Sequence, residues 1–517
     1  MGRLTSGAAT AKWLALSGLY GHCRAMIDKT AIRSFSRSEW AVLAIAALLL
    51  AMSAAVWPVN HDEGQYVAAT ALMRNGLPYR DFAYLQTPLQ PFVLQPLSLL
   101  PAGWLLAASR LANVLFASAS LLLIALASKR WAPTWAVAAS VAALACSQPF
   151  LFAASVARND ALPMMLLAGA VAVLVPAVDS ARTRAGPFVL GGLLLGLATS
   201  AKISFALVGA GAFLFLLITS RRRHWLSISF FVLGGVAGLL PMLVMAALEP
   251  QRFFFDVFTY SLAAPQQWWS LVGEGHRLNV MGKFSDLTKL ALRGAIIPAL
   301  LITLVDRKRG DVCLFLDLMI VGGLIGAYLP DPAFPQYLVP VLPPLFARLA
   351  IALGHTRSVW RWLALLMLLA GSIYGLTRPI KYARQSASGG PELGQAVQQG
   401  RMTARLARGG TVVTLASERV AGSDVVLDPG FVTGPFLFRT HGWLAADALR
   451  LGLSPNWQRL TYLDHRSPAA ILVGGEPDAK PPLHPQGLDH HLSEWARAHG
   501  YRAVALPGDG FTLFLRP

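Results

Sequence analysis

Long apolar runs with few charged residues recur along the chain from about Glu39 to about Thr377. A helix needs roughly 17–25 such residues to cross a membrane. The pattern therefore predicts an α-helical polytopic membrane protein with about eleven transmembrane helices. The predicted spans are 39–58, 104–128, 132–152, 161–178, 187–200, 203–219, 225–247, 292–305, 312–329, 337–354 and 359–376.

Two apolar stretches do not fit a single straight span. The run from Pro187 to Ser220 would measure roughly 51 Å as one helix, whereas the hydrocarbon core is about 30 Å thick. We therefore predict two short spans that turn at Lys202. Prolines interrupt the stretch from Leu85 to Pro101 every few residues, so we predict an interfacial or re-entrant segment there.

Short basic clusters between the apolar runs indicate the orientation. Lys and Arg concentrate in cytoplasmic loops, and an N-terminus inside the cell places five such clusters there together. They are Lys129/Arg130, Arg182/Arg184, Arg221/Arg222/Arg223, Arg307/Lys308/Arg309 and Arg357/Arg361. This topology predicts a bacterial cytoplasmic (inner) membrane protein in which 59–103, 248–291 and the tail are outside.

The chain divides into three predicted regions. Residues 1–38 form a basic cytoplasmic tail without a convincing signal-peptide cleavage site, and 39–377 form the membrane domain. Residues 378–517 are more polar and predict a small extracytoplasmic α/β domain. Its predicted elements are helices 394–408 and 492–499, strands 411–415 and 469–473, and a hairpin of 503–506 with 511–515 turned by 507–510.

Composition narrows the function classes. Hydrophobic residues make up 55% and charged residues 14% of the 517 positions, against roughly 25% charged in soluble domains. The formal charge of +18 lies mainly in loops between spans, which favours contact with the lipid bilayer and argues against nucleic acid. Three cysteines, two of them within apolar runs, predict no disulfide framework.

The first outer loop carries adjacent acids directly after a span, Asp62 and Glu63, followed by Tyr66. Carboxylates at a membrane boundary are costly unless they are solvated, paired or functional. Asp62 could simply cap the next helix. Further along the loop, Arg80 and Asp81 form either a local salt bridge or part of a site.

Other charged residues are predicted on the same outer face. Arg158 and Asp160 begin the fourth span, and Lys202 lies at the turn between two short spans. Asp160 could cap its helix, and Lys202 could extend to the interface. A buried ammonium is also a compact charge for a phosphate, so the three residues together predict a site.

Aromatic and cationic residues in two later outer segments could complete a lipid-carrier site. Arg277 lies in the loop 248–291 among Phe and Trp side chains, which also suits an aromatic belt. Tyr337 precedes a proline-rich span and either meets a headgroup or anchors the helix. The sequence has no Gly-rich phosphate loop, no His/Cys metal spacing and no nucleophile elbow.

In their order and common sidedness, these segments resemble the GT-C membrane glycosyltransferases. The most similar branch is that of the bacterial relatives of protein O-mannosyltransferases and lipid A aminoarabinose transferases. The resemblance covers roughly residues 39–377. The segments that carry it are Asp62-Glu63-Gly64, Gly76-Leu77-Pro78-Tyr79-Arg80-Asp81-Phe82, Pro88-Leu89, Arg158-Asn159-Asp160, Ala201-Lys202 and Gln336-Tyr337 with Pro340 and Pro343-Pro344.

The resemblance implies inverting transfer of a sugar from a polyprenyl monophosphate to an acceptor hydroxyl. Asp62 and Asp160 match the family's first- and second-loop acids, Lys202 matches a lysine that contacts the carrier phosphate, and Tyr337 falls near a tyrosine of that site. One position departs from the aminoarabinose transferases, which have a lysine where this chain has Gln86.

The predicted function is therefore a glycosyltransferase, hexosyl or pentosyl, that uses a lipid-phosphate-linked sugar and a glycan, glycolipid or protein acceptor. Asp62 is the predicted base, and Glu63 or Asp160 would orient the acceptor or tune Asp62. Predicted substrate contacts are Lys202, Arg158, Tyr337, Tyr66, Arg80 and Arg277. No cofactor is required, although two carboxylate loops could bind a divalent metal. The alternatives are a lipid-linked glycan transporter or flippase, and a catalytically inactive assembly subunit.

Overall fold

The computed structural model describes residues 35–180, 184–219, 225–308, 310–457, 460–478, 486–508 and 510–517. Several predicted features lie outside the described residues: most of the N-terminal tail, the basic residues Arg182, Arg221, Arg222, Arg223 and Arg309, and Asp509 of the predicted hairpin turn.

The membrane part of the chain is helical. Its helices are α1 (Arg37–Val56), α2 (Glu63–Leu72), α3 (Leu89–Leu94), α4 (Trp104–Ser128), α5 (Thr134–Ala145), α6 (Gln148–Ser155), α7 (Ala161–Asp179), α8 (Ala185–Ala201), α9 (Ala206–Ile218), α10 (Trp225–Leu248), α11 (Pro250–Phe254), α12 (Tyr260–Leu271), α13 (Val280–Leu292), α14 (Ile296–Val305), α15 (Asp311–Tyr328), α16 (Leu342–His355) and α17 (Ser358–Gly375). A π-helical turn, Phe255–Thr259, separates α11 from α12, and 3-10 turns cover Gln95–Leu99, Ile203–Phe205, Gly275–Leu278 and Pro335–Val341.

Each predicted span corresponds to helical structure, but the spans are not alike. Within the described residues, seven helices are long and apolar enough to cross a membrane, and nine if each bent pair counts as one span. The bent pairs are α5 with α6, at 64°, and α13 with α14, at 93°. The two spans predicted around Lys202 are the shorter apolar helices Ala185–Ala201 and Ile203–Ile218. The stretch 85–101 contains only α3 and a 3-10 turn, both too short to span.

Direct backbone contact between α8 and α10 anchors the short helix that ends at Lys202. A Cβ added to Gly192 would lie 2.0 Å from the Phe231 carbonyl oxygen, so only glycine fits at this crossing. Ser200 extends the contact, because its hydroxyl donates to the Gly238 carbonyl at 2.9 Å. The backbone carrying Lys202 is therefore held in place before any polar partner is considered.

Ion pairs of basic residues lie toward the end of the bundle opposite Asp62. Lys129 lies 3.1 Å from Glu39, Arg130 lies 3.5 Å from Asp179, and Arg348 pairs with Asp306 at 2.7 Å. Lys129 and Arg130 belong to one basic cluster that the positive-inside rule assigns to the cytoplasm, and Asp306 borders another.

The C-terminal part continues with α18 (Thr377–Gly389) and α19 (Glu392–Ala407) and contains a five-stranded mixed sheet in the order β2-β1-β3-β5-β4. β1 pairs in parallel with β2 and β3, and β5 is antiparallel to β3 and β4. The elements are β1 (Thr411–Thr414), β2 (Val426–Leu427), β3 (Ala470–Val473), β4 (Arg502–Ala505), β5 (Thr512–Leu515), α20 (Gly442–Arg450), α21 (Thr461–Asp464) and α22 (Leu488–Ala498), with 3-10 turns at Ser417–Arg419, Pro429–Phe431 and Leu437–Arg439.

The predicted helices and strands of this part are present within a few residues of their predicted bounds. β1 and β3 are buried along almost their whole length, and Val413, Ile471 and Val473 share one core with Leu488 and Leu492 of α22. The boundary of an independent domain at 378 stays a prediction.

Candidate active site

Asp62 lies in the turn between α1 and α2 and does not act as a helix cap. It occupies the N-cap position, yet its side chain accepts no capping hydrogen bond. The Asn60 side chain instead accepts from the Asp62 N–H at 2.8 Å. The Asp62 carboxylate therefore makes no capping hydrogen bond to the backbone. It forms an ion pair with Arg158 and remains about a quarter exposed.

Asp160 likewise begins a helix without capping it. Its carboxylate is fully buried between two cations: Lys202 binds one oxygen, and the Arg158 Nε lies 3.3 Å from the other. The Asn113 amide holds the preceding turn by donating to the carbonyl of Arg158 at 2.9 Å. Asp62, Arg158, Asp160 and Lys202 thus form one continuous row of alternating charge, called here the charge row.

Lys202 occupies the extended residue between α8 and the next helical turn. It is only 5% exposed, so its ammonium does not reach the lipid interface. The ammonium lies 5.8 Å from the centre of the Tyr337 ring. Asp160, Lys202 and Tyr337 therefore lie close together.

The loop 59–103 lies against the charge row through aromatic side chains. Tyr66 is buried, and its ring centre lies 5.8 Å from the Arg158 guanidinium and 6.3 Å from the Tyr84 ring. The backbone N–H of Tyr84 donates to Asp256 at 2.8 Å. Burial raises the pKa of Asp256 to about 7.

Asp256 is not among the site residues predicted from the sequence, although the sequence contains a signal for it. It is the one acid within an aromatic run, Phe253 to Phe258, and it falls on a π-helical turn, a feature frequent at functional sites. Through Tyr84, Asp256 positions the loop that covers the charge row.

Gln86 lies beside the site, where the aminoarabinose transferases have a lysine. The Asn159 amide donates to the Gln86 side-chain oxygen at 3.1 Å and to the Ala201 carbonyl at 3.0 Å. These bonds connect the first loop to the start of α7 and the end of α8. A neutral side chain here leaves Lys202 and Arg158 as the cations of this part of the site.

Two predicted substrate residues lie apart from the charge row. Arg80 is half exposed and pairs with its neighbour Asp81 at 2.8 Å. Arg277 pairs with Asp286 at 3.2 Å and lies 4.4 Å from the Trp269 ring centre. Rings connect Arg277 to the site indirectly, since Phe334 lies 5.9 Å from Arg277 and 6.0 Å from Tyr337.

Glu63 is separate from its neighbour Asp62 and is completely buried against Arg110. Both of its oxygens accept a hydrogen bond from Arg110. They also accept from the backbone N–H groups of Ala157, at 2.6 Å, and Asn60, at 2.9 Å. Arg110 gives its remaining donors to carbonyls at the end of α1 and in the following turn.

The C-terminal part covers the Asp62 turn, a contact that the sequence did not predict. The His61 ring lies 5.9 Å from the Phe436 ring. Arg439 binds Glu476 at 2.6 Å and lies 5.2 Å from the Trp268 ring. Burial lowers the pKa of His61, and the Arg439 guanidinium lowers it further.

Glu418 contacts the start of α2 from the C-terminal side. It is 3% exposed, and a Cβ added to Gly64 would lie only 2.8 Å from its Oε2 atom. A side chain at position 64 would therefore displace the Glu418 carboxylate from its present position. Burial raises the pKa of the Glu418 carboxyl to about 7.

Within the described ranges, no group of three or more His, Cys, Asp or Glu side chains is arranged to hold a metal ion. The acids of the charge row are instead paired with Arg158 and Lys202. The arrangement offers one accessible carboxylate, Asp62, next to two buried cations.

Comparison with known proteins extends over most of the chain. Residues 86–247 match the family model of dolichyl-phosphate-mannose-protein mannosyltransferase. The crystal structure of ArnT from Cupriavidus metallidurans bound to undecaprenyl phosphate is similar, with a TM-score of 0.55 and 16% identity, covering 93% of this chain and 98% of that one. The apo structure of the same protein gives 0.56 and 15%, covering 92% and 96%. No curated protein gives a significant match.

The matched family segment includes Arg158, Asp160 and Lys202, so the similarity covers three residues of the charge row. At these identities the structural likeness concerns the fold. The chain therefore has the GT-C fold, and the resemblance to the GT-C membrane glycosyltransferases that its sequence indicated is confirmed.

Proposed function

We propose that this protein is a glycosyltransferase that moves a sugar from a polyprenyl-phosphate donor to an acceptor hydroxyl at the outer face of the membrane. The observation that carries the proposal is the charge row. It places an accessible carboxylate, Asp62, directly beside Arg158, which also contacts Asp160 next to Lys202.

The buried end of the row suits a phosphate. Lys202 and Arg158 bring two positive charges into a site shielded from water, where a departing phosphate is strongly stabilised by fixed cations. Asp160 holds both cations in position and offsets the cost of burying them. Tyr337 lies close enough to Lys202 to contact the same group.

The accessible end suits proton removal. When a donor phosphate binds Arg158, the guanidinium leaves Asp62 and frees its carboxylate to accept a proton. The acceptor hydroxyl gives that proton to Asp62 while its oxygen forms a bond to the anomeric carbon. The bond from that carbon to the phosphate oxygen breaks, and the polyprenyl phosphate departs with the electron pair. One displacement inverts the anomeric configuration.

The acceptor would enter between the first outer loop and the C-terminal part. His61 precedes Asp62 in the chain, and Phe436 and Arg439 of the C-terminal part lie near His61 on that side. Tyr66 is placed to contact the sugar or the acceptor, while Arg80 and Arg277 would have to act further along a long substrate. The sugar, hexose or pentose, and the acceptor class, glycan, glycolipid or protein, are left to experiment.

We further propose eleven membrane crossings with the N-terminus in the cytoplasm of a bacterial cell and the C-terminal part outside. Cysteine labelling from the outer face of intact spheroplasts tests this topology. A cysteine at Asn60 should react, whereas one at Lys308 should not. Labelling at Lys308 but not at Asn60 would reverse the orientation and remove the proposed site from the outer face.

Turnover by the purified full-length protein tests the function. The protein, reconstituted with a panel of synthetic polyprenyl-phosphate sugars and envelope acceptors, should release polyprenyl phosphate, and Asp62→Asn should not. The same assay with EDTA tests the prediction that no metal is needed. Donor binding without turnover for every acceptor would favour an inactive assembly subunit, and donor movement between leaflets without sugar transfer would favour a flippase.

A further inference from the structure

A surface cavity that is widely open lies where α19 crosses the start of α4, apart from the charge row. Its volume is about 450 Å³. It is lined by Pro101, Trp104, Arg401, Ala404, Arg405 and Asp424. Three of these residues are charged, and one is an interfacial aromatic side chain.

The walls of this cavity are in close contact and firmly held. A Cβ added to Gly400 of α19 would lie 2.5 Å from the backbone nitrogen of Gly103, so the two backbones meet. The Asp424 side chain accepts from the Ala102 N–H at 2.6 Å. The neighbouring Ser423 N–H donates to the Leu100 carbonyl at 2.8 Å. The charged side chains therefore project from a fixed frame.

The cavity lies at the N-terminal end of α4, a candidate membrane span. α4 is a candidate span, and Leu111 and Leu115 on one face are 56% and 60% exposed, as lipid-facing residues are. Trp104 is on the same face, at the first residue of the helix, and is 49% exposed. Tryptophan at a span end marks the membrane interface.

The charges in the cavity match a headgroup that carries both signs. Arg401 and Arg405 are one helical turn apart on the same face of α19, and both are exposed. Paired guanidinium groups suit the oxygens of a phosphodiester. The Asp424 carboxylate, on the opposite wall, would repel a purely anionic headgroup but attract an ammonium.

We propose that this cavity binds the headgroup of an ethanolamine phospholipid. Its phosphate lies on Arg401 and Arg405, its ammonium faces Asp424, and its acyl chains descend along the face of α4 that begins at Trp104. The lipid would fix α19, and through it the C-terminal part, against the membrane. The proposal does not depend on the proposed transfer reaction.

Native mass spectrometry of the detergent-purified full-length protein tests this site. Dioleoyl phosphatidylethanolamine, phosphatidylglycerol and phosphatidylcholine are added separately, without donor or acceptor. The wild type should retain phosphatidylethanolamine best, because the ammonium of phosphatidylcholine has no N–H to donate. Arg401→Gln with Arg405→Gln should weaken the affinity for phosphatidylethanolamine roughly 30-fold. Arg408→Gln, an exposed arginine at the end of the same helix, should leave it unchanged.

A second variant tests the ammonium contact. Asp424→Asn keeps an oxygen for the Ala102 N–H but removes the charge, so it should abolish the preference for phosphatidylethanolamine over phosphatidylglycerol. Matched thermal stability of all variants ensures that the comparison concerns folded protein. Unchanged binding in the double arginine variant, or equal binding of all three lipids by the wild type, would overturn the proposal.

Discussion

Two neighbouring carboxylates, Asp62 and Glu63, belong to groups of very different character. Each oxygen of Glu63 accepts two hydrogen bonds, and all five N–H groups of Arg110 are used. Asp62 is a quarter exposed and shares Arg158 with Asp160. Glu63 and Arg110, called here the Glu63 pair, have no hydrogen-bonding group left for a substrate. In the charge row, by contrast, an ion-pair partner can be exchanged for a substrate.

This difference shows how one turn supports both structure and chemistry. The Glu63 pair ties together the end of α1, the start of α2, α4 and the segment before Asp160. The Asp62 side chain therefore needs no hydrogen bond to the backbone to keep its position. The backbone that carries Asp62 is fixed by the Glu63–Arg110 pair, and the Asp62 carboxylate itself stays accessible. This combination meets the geometric requirement for a general base.

The largest expected effect concerns Asp62. Asp62→Asn keeps the shape of the side chain but cannot accept the acceptor proton, so turnover should fall by about 10²–10⁴-fold. Thermal stability and donor binding should stay close to those of the wild type. Turnover with a lipid-linked sugar and donor binding are measured separately on purified protein. If Asp62→Asn kept near wild-type turnover, another acid would have to be the base. Asp62 and Glu63 would then no longer differ in catalytic role.

A smaller loss is expected at the other end of the charge row. Lys202→Ala removes a cation from the proposed phosphate position, so donor binding should weaken and turnover should fall by about 10²-fold. Lys129→Ala, at the opposite end of the bundle, is the matched control and should change neither quantity. Normal donor affinity in Lys202→Ala would argue against the phosphate role.

Substitution of Glu63 should change the stability of the folded protein rather than the chemical step. Glu63→Gln leaves Arg110 buried without its charge partner and should lower the free energy of unfolding by about 3–5 kcal/mol. Asp81→Asn breaks an exposed pair and should cost about 0.2–1 kcal/mol. Thermal unfolding of both variants gives the comparison. A fully stable Glu63→Gln protein that has lost turnover would place Glu63 in the reaction.

The smallest effect is a change in the pH dependence of stability. The pKa of Glu418 is raised by burial from 4.5 to about 7, so the folded state binds a proton more tightly than the unfolded state. The protonated Glu418 carboxyl contributes about 3 kcal/mol to the free energy of unfolding below pH 4.5. This contribution is lost as the pH rises from 4.5 to about 7. Glu418→Gln should remove that decline.

Glu494→Gln serves as the control for this measurement, because Glu494 is 61% exposed. Denaturation of the wild type and both variants across pH 4.5–7.5 isolates the Glu418 contribution. An unchanged pH profile in Glu418→Gln would mean that the carboxyl is already ionised next to Gly64.

Several site residues could be predicted because their sequence position alone is unusual. Asp62, Asp160 and Lys202 are charged residues at the ends of apolar runs, where burial is expensive, and the alternation of spans puts all three at one face. Capping was the competing explanation for both acids, and the structure shows no capping bond for either.

Other residues could not be found in this way because their partners are distant in sequence. Asp256 acts on Tyr84 across 172 positions, and Glu418 meets Gly64 from the C-terminal part. Neither contact follows from a local pattern. The bend of 64° inside the predicted span 132–152, and the bend of 93° that joins α13 of the predicted loop 248–291 to the predicted span 292–305, likewise depend on packing.

Local pattern by itself determined that this chain is a membrane protein, where its helices and strands run, and which charged residues stand at membrane boundaries. These properties follow from the cost of exposing backbone and charge to lipid, which acts on each segment separately. Tertiary structure alone decided that Glu63 would be satisfied and Asp62 available. That choice depends on Arg110, Ala157 and Arg158, whose side chains and backbone reach the turn only after the helices have packed.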